Sequence, residues 1–331
     1  FFAMFLALGW LSVNHSISLA QDVVQICYVD DTATGLNDGT SWTNAFVDLQ
    51  SALAAGSGCT EVRVAAGVYK PTSSTERSIS FQLRSGVSVL GQYPNGGGDV
   101  RAPANTTTLS GDINNPGDNT DNSYHVVNGS GVDATGLLDG FTITMGYAST
   151  PSADGGGVYV TDGSPTLSNL IIDNNYATGN GGGVYLNNSS AAMSNSIIRN
   201  NYGATGGGLY SSGTGTPTLS TVTINNNTTN TNGAGAYVSN AVSFTDVTFQ
   251  ANTARSRGGG LYIASGNANL SNSNFTSNQA SNGASTGYGG GVYVAGGVPT
   301  FTGVTFQSNK AMRVGGAGGE GGGMYVSNSS P

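Results

Sequence analysis

The sequence predicts an all-β chain folded as a parallel β-helix, in which short strands coil into stacked rungs. The first observation is a glycine-rich hexapeptide, GGGVYV at residues 155–160, which occurs with variations seven times. Successive copies start 26, 25, 27, 25, 31 and 32 residues apart, a range of periods typical of solenoids and propellers. The copies begin at Gly155, Gly181, Gly206, Gly233, Gly258, Gly289 and Gly321.

The second observation is a block that follows six of these hexapeptides, first as PTLSNLIIDNN at residues 165–175. It supplies short β-type runs separated by Gly, Asn and Ser, and it shows no helical period of 3.6 residues. We therefore expect coils of three short strands. Two apolar positions recur and are assigned to the interior: Leu167, Met193, Leu219, Phe244, Leu270 and Phe301, and then Ile172, Ile198, Ile224, Phe249, Phe275 and Phe306.

The third observation is a tyrosine in every hexapeptide. Alternation along a strand directs Val158 and Val160 inward and Tyr159 outward, and equivalent residues of neighbouring rungs lie about 4.8 Å apart. The outward tyrosines form a column of Tyr159, Tyr185, Tyr210, Tyr237, Tyr262, Tyr293 and Tyr325. Two interpretations remain open: stacked rings that stabilise the sheet, or a flat platform that binds a sugar chain or a protein.

An asparagine column lies three residues after the second apolar position of each block. Asparagine tolerates the left-handed backbone conformation, and its amide can bond both its own turn and the next rung. We therefore expect a structural ladder of Asn175, Asn201, Asn227, Asn252, Asn278 and Asn309. The glycines are expected to supply positive φ and close backbone approach at the opposite corner.

The beginning of the chain predicts export. Residues 1–20 contain an apolar run followed by small residues at Ser18 and Ala20, as in a secretory signal that lacks its basic start. The run is too short to span a bilayer. We assign residues 21–85 to an N-terminal cap with the first strands, and residues 86–331 to a β-helix that is truncated at its C-terminus.

Two features are predicted within the cap. Cys27 and Cys59 are the only cysteines, and in an exported chain a disulfide between them is favoured over two separate buried thiols. Apolar spacing predicts one amphipathic helix over residues 44–55, with Thr43 as N-cap, a staple of Trp42 and Val47, and Gly56 at its end. Such a helix would cover the open first rung.

The charge of the chain limits the classes of partner that it can bind. Charged residues make up 8% of the chain and the formal net charge is −8. Nucleic acids and anionic membrane surfaces are therefore poor partners. The apolar columns distinguish the chain from a disordered one of similar polarity.

Several stretches carry a resemblance to known proteins. Residues 28–56, residues 61–72 and LDGFTIT at 138–144 resemble the start of secreted bacterial right-handed parallel β-helix proteins of the pectin-lyase-like superfamily. The GGGVY and FxxN blocks are similar to the repeats of chlamydial polymorphic outer membrane proteins, which are surface-displayed adhesins. The resemblance implies the fold and a secreted or cell-surface location. It leaves function open, because the superfamily includes lyases, glycosidases and adhesins.

The sequence favours a non-catalytic role in adhesion or display, with a surface polysaccharide or a protein of a host or neighbouring cell as partner. From residue 146 onward only five acidic residues occur, and no two occupy matching positions of adjacent repeats. The first alternative is a polysaccharide lyase or glycosidase with a site between Asp112 and Asp139. The second alternative is a structural protein that associates end to end into filaments.

Two polar features of the early coils remain as candidates. Asp112, Asn114, Asp118 and Asp121 offer the oxygen ligands that calcium prefers, although their spacing matches no known calcium loop. The alternative is a polar surface loop, and no other cofactor is expected. His125 is the single histidine beyond the predicted signal segment, and no triad can be assembled without a second histidine or a reactive cysteine, so a surface or turn histidine is the favoured interpretation.

Overall fold

The computed structural model describes residues 24–54, 56–282, 287–313 and 318–327. The predicted signal segment at residues 1–20 lies outside this part of the chain. The described residues form a solenoid of parallel strands arranged in four sheets, with ten, nine, nine and seven strands. The predicted β-helix is therefore confirmed, but each regular coil contains four strands rather than the three expected from the sequence.

Sheet A holds the hexapeptide strands, and sheet B holds the strand that follows each of them. The strands of sheet A are Phe81–Gln82, Val127–Asn128, Val158–Thr161, Val184–Asn187, Leu209–Ser212, Ala236–Val238, Leu261–Ile263, Val292–Val294 and Met324–Val326. The strands of sheet B are Ile26–Val29, Glu61–Ala65, Ser88–Tyr93, Leu137–Asp139, Thr166–Ser168, Ala192–Ser194, Thr218–Ser220, Ser243–Thr245, Asn269–Ser271 and Thr300–Thr302.

Sheets C and D complete each coil. The strands of sheet C are Gly67–Tyr69, Thr107–Ser110, Thr142–Thr144, Ile171–Asp173, Ile197–Arg199, Thr223–Asn225, Thr248–Gln250, Asn274–Thr276 and Thr305–Gln307. The strands of sheet D are Tyr147–Ala148, Tyr176–Asn180, Tyr202–Thr205, Thr228–Thr229, Thr253–Ala254, Gln279–Asn282 and Lys310–Arg313. Sheet D begins directly after the ladder asparagines, and its strands are as short as two residues, too short for a visible alternation.

The register aligns the repeats residue by residue. Val158 pairs with Val184, Leu167 with Met193, and Ile172 with Ile198. Both predicted apolar columns therefore lie inside the coil, where Leu167, Ile172 and Phe249 have no exposed surface. The interior is one continuous hydrophobic column that runs along the solenoid axis.

Two turns require the left-handed backbone conformation. The first glycine of every hexapeptide has a φ between 61° and 70°, as predicted. At the opposite corner the prediction was one residue off. Positive φ belongs to the residue before each ladder asparagine, such as Asn174 at 55° and Asn200 at 54°, and the ladder residue then leads directly into the sheet D strand.

The helix of the cap is shorter than predicted. It spans Leu49–Leu53, and Asp48 rather than Thr43 is its N-cap, accepting a 2.8 Å hydrogen bond from the backbone N–H of Ser51. Residues 44–47 form no helical turn, and Phe46 instead forms a β-bridge with Val29.

The predicted staple is also absent. Val47 is 42% exposed, and Trp42 packs against the rings of Tyr28 and Tyr93 instead. The helix buries Leu49, Ala52 and Leu53 over the first strands, which agrees with its expected role as a cover.

A disulfide joins Cys27 and Cys59 across 32 residues, and both cysteines are buried between the first two strands of sheet B. Because the bond restricts the unfolded chain, its removal should lower the free energy of unfolding by about 3 kcal/mol. Urea unfolding of the wild type and of a Cys27→Ala, Cys59→Ala double variant measures the difference. Two free thiols in the unfolded, unreduced wild type would contradict the bond.

Candidate functional site

The tyrosine column is a continuous face-to-face stack along sheet A. Neighbouring ring centroids lie 5.0–5.4 Å apart, and their planes differ by 3–12°. His125 continues the stack beyond Tyr159, at 4.5 Å between centroids. Since each ring covers the faces of its neighbours, the column presents ring edges and hydroxyl groups to its surroundings.

Burial also distinguishes the column from an open platform. Tyr262 is 8% exposed and Tyr293 is 5% exposed. The guanidinium of Arg257 lies 5.3 Å from the ring centroid of Tyr293, and Tyr288 packs edge-on against that ring. This arrangement favours the stabilising role over the predicted ligand platform, because a sugar stacks on an open ring face.

The glycines beside the tyrosines make this packing possible. A Cβ added to Gly155 would lie 2.8 Å from the ring of Tyr159 and 3.0 Å from the Cβ of Tyr185. Burial raises the pKa of the Tyr159, Tyr237 and Tyr262 hydroxyls, and it raises that of Tyr185 to about 12. These four hydroxyls therefore stay protonated at neutral pH.

A second tyrosine stack, on sheet D, was missed by the sequence analysis. Tyr147, Tyr176 and Tyr202 stack with centroids 4.7 and 4.6 Å apart. The next rungs carry Thr228 and Thr253 at the same register, so the stack ends after three rungs. The NNY triplets at residues 174–176 and 200–202 could have predicted this stack, but too few repeats contain the triplet for it to stand out in the sequence.

The asparagine ladder is buried and fully bonded. Between neighbouring rungs, the backbone N–H and the side-chain amide of one asparagine both donate to the side-chain oxygen of the next, at 2.9–3.1 Å. The amide also donates to a carbonyl of the preceding rung, as Asn227 does to Ile198 at 2.9 Å. Asn227 has no exposed surface. The ladder thus satisfies polar groups that the corner buries.

Three acidic residues of the repeats form bonds between rungs. Asp173 accepts hydrogen bonds from Arg199 at 3.0 Å and from Asn200 at 2.8 Å, and Asp162 accepts one from Asn188 at 3.1 Å. Asp154 accepts a 2.6 Å bond from the backbone N–H of Asn180. Each of these carboxylates connects its rung to the following one.

The early coils contain a buried ion pair that the sequence analysis did not identify. Asp139 is 7% exposed and accepts bonds from Arg101, Ser168 and Asn169. Burial opposes its charged form, but these three donors outweigh the effect and lower the pKa of Asp139. The two partners are 38 residues apart in the chain, so only the coiling brings them together.

His125 lies beside a polar cavity and is held by a backbone contact. Its Nδ1 lies 2.8 Å from the carbonyl oxygen of Gly155, and burial lowers its pKa, which favours the neutral ring. A polar cavity of about 150 Å³ beside it is lined by Asp154, Tyr159 and residues 151–153.

A larger cavity of about 550 Å³ lies beside the cap helix. Lys70, Asp48, Gln50 and Ile113 contribute to its lining. Asp48 accepts hydrogen bonds from Ser51 with both of its carboxylate oxygens. Among the described residues that line the cavity, the exposed Lys70 is therefore the charged side chain that is free to bind a ligand.

The predicted calcium ligands are not all directed at one point. Asp118 accepts bonds from the N–H and hydroxyl groups of Thr120, and Asp121 accepts bonds from Asn114 and from the N–H of Asn115. Among the described residues, no group of three or more His, Cys, Asp or Glu side chains is arranged to hold a metal ion. Calcium binding by Asp112, Asn114, Asp118 and Asp121 stays a prediction.

Comparison with known proteins identifies the handedness. A family model described as a right handed beta helix region matches residues 108–254. The fold is a right-handed parallel β-helix. The structure is also similar to the crystal structure of pectate lyase Pel9A, with a TM-score of 0.50 and 14% sequence identity. The match covers 92% of this chain and 78% of that one.

These likenesses concern architecture. The right-handed β-helix has the pectin-lyase-like fold that the sequence resemblance implied, and at 14% identity the match to Pel9A carries the fold alone. No curated protein sequence matches the chain. Within the described residues, no helix is long and apolar enough to cross a membrane.

Proposed function

We propose that this chain is a non-catalytic extracellular or cell-surface protein of a bacterium, whose β-helix is a rigid scaffold for adhesion and display. The observation that carries the proposal is that the recurring side chains bond or stack between neighbouring rungs. Asparagine and tyrosine each form an unbroken ladder across the repeats, and phenylalanine does so over three consecutive rungs. Residues that repeat in every coil thus hold the coils together, which suits a protein selected for length and stiffness.

The charged residues of the repeats support the same proposal. Asp154, Asp162 and Asp173 each bond a residue of the following rung. A lyase or hydrolase needs carboxylates that face a groove and are free to bind a metal or transfer a proton. A polar, weakly charged outer surface instead suits contact with a surface polysaccharide or with a protein of a host or neighbouring cell.

Beads coated with the protein test this function. We expect them to be retained on immobilised polysaccharides or on cells more strongly than beads coated with the heat-unfolded protein. A Tyr210→Ser variant should lose about 1–3 kcal/mol of stability, because two ring stacks are broken. Its adhesion per folded molecule should be unchanged.

Two outcomes separate the interpretations of the column. Loss of adhesion by a folded Tyr210→Ser variant with an unchanged melting temperature would identify the tyrosines as a ligand platform. Retention no greater than that of the unfolded control, on every surface tested, would contradict adhesion itself.

A polysaccharide-active enzyme is the second candidate, and the cavity beside Lys70 favours it. A free lysine in a cavity of about 550 Å³ could bind the carboxylate of a uronate through its ammonium group. Turnover of polygalacturonate by the wild type that is lost in Lys70→Met would support this candidate. The adhesion proposal expects no turnover by either protein.

A further inference from the structure

Four buried oxygen atoms without hydrogen-bond partners lie in one short segment of the early coils. They are Asp112 Oδ1, Asp121 Oδ1, Asn122 Oδ1 and Ser123 Oγ. Asn122 is 1% exposed and Ser123 has no exposed surface. Across the described residues, eight side-chain atoms are in this condition, and half of them belong to this segment.

The backbone brings the four residues together. The N–H of Ser123 donates to the carbonyl of Gly111 at 2.9 Å, which closes the loop and sets Asp112 beside residues 122 and 123. The side-chain amide of Asn122 donates to the carbonyl oxygen of Met145 at 2.8 Å. That carbonyl lies directly over the α-carbon of Gly111. Residues 111 and 112 on one side and residues 122 and 123 on the other therefore form the neck of the loop, and Asp121 directly precedes it.

Charge at this neck is not balanced by the nearest cation. Arg77 donates to the backbone carbonyls of Asn122 and Tyr147, at 2.6 and 2.8 Å, and forms no ion pair with a described carboxylate. Two carboxylate oxygens, an amide oxygen and a hydroxyl are thus buried within residues 112–123 without a hydrogen-bond partner. Each unpaired buried group is costly, and ionised groups are the most costly.

We propose that the neck of this loop binds one calcium ion through Asp112, Asp121, Asn122 and Ser123. Carboxylate, amide and hydroxyl oxygens are the ligands of a hard cation. Calcium fits better than magnesium, because calcium accepts irregular sets of oxygen ligands while magnesium demands near-octahedral geometry. The proposal does not depend on whether the protein is an adhesin or an enzyme.

The proposed ligands differ from those predicted by composition. Asp118 and Asn114 are engaged in bonds within the loop, whereas Asn122 and Ser123 contribute the buried oxygens. Asp118 therefore provides a matched control, since it is an acidic residue of the same loop whose carboxylate caps a turn.

Calorimetry with calcium chloride tests the site. We expect the wild type to bind one calcium ion, and Asp112→Asn and Asp121→Asn each to weaken binding by at least about tenfold. Asp118→Asn should bind as the wild type does. Terbium should occupy the same site and show luminescence sensitised by the adjacent Tyr124, which excess calcium suppresses.

Melting in chelator separates a cation site from a structural role of the carboxylates. With calcium removed, Asp112→Asn should be at least as stable as the wild type, because it lacks one unpaired buried charge. A wild type that binds no calcium and melts equally in calcium and in chelator would show that water satisfies these oxygens, and would overturn the proposal. Equal weakening of binding by Asp118→Asn would also overturn it.

Discussion

Replacing Phe275 with alanine is expected to lower the free energy of unfolding by about 3–5 kcal/mol. The ring has no exposed surface and lies between the rings of Phe249 and Phe306, at centroid distances of 4.6 and 5.2 Å. Backbone hydrogen bonds hold the strands on both sides at fixed spacing, so the cavity cannot collapse. The cost therefore includes both the lost burial and the space left behind.

Urea unfolding monitored by circular dichroism measures this loss. Thr276→Ala is the matched control, because Thr276 follows Phe275 on the same strand and points to the other face. The control should change the free energy of unfolding by less than about 0.5 kcal/mol. Similar losses in the two variants would show that the interior column is not the source of stability.

Replacing Asn227 with alanine is expected to cost about 4 kcal/mol. Its side chain donates to Ile198 and Asn252, and its oxygen accepts from both the backbone and the side chain of Asn201. The substitution therefore removes four hydrogen bonds of buried polar groups, and each contributes about 1 kcal/mol. The substitution interrupts the ladder in its middle, where water cannot reach those groups.

The comparison with Asn115→Ala separates the ladder from asparagine content in general. Asn115 is exposed, and its side chain takes part in no hydrogen bond of the described structure. Chemical denaturation should leave this control within about 0.5 kcal/mol of the wild type. An Asn227→Ala variant with an unchanged midpoint would mean that the corner is solvated and that the ladder does not stabilise the fold.

The repeats made most of the architecture predictable. The hexapeptide and the block after it mark inward positions such as Val158, Leu167 and Ile172, and all three are fully buried. The disulfide also followed from the sequence, because the chain contains two cysteines and export favours their pairing. One copy of the pattern is weak evidence for which positions point inward, whereas several copies with the same pattern are strong evidence.

The missed features occur where repetition is weak. Strands of sheet D such as Thr228–Thr229 are too short to show alternation, so the fourth strand of each coil was not predicted. Phe46 has the spacing of a helical residue, yet it forms a β-bridge with Val29 and lies outside the helix. In both cases contacts between distant segments decided the outcome.

The sequence alone determined the β-helix, its inward columns and the rungs on which the tyrosines and asparagines stack, because identical neighbours at a fixed spacing must meet. Only the tertiary structure decided how the side chains outside those columns are used. It covered the tyrosine faces, paired Arg101 with Asp139 and gathered the unpaired oxygens of residues 112–123. These contacts depend on where the irregular loops cross the coil. The loop sequences are not periodic, so no repeat predicts the paths of the loops.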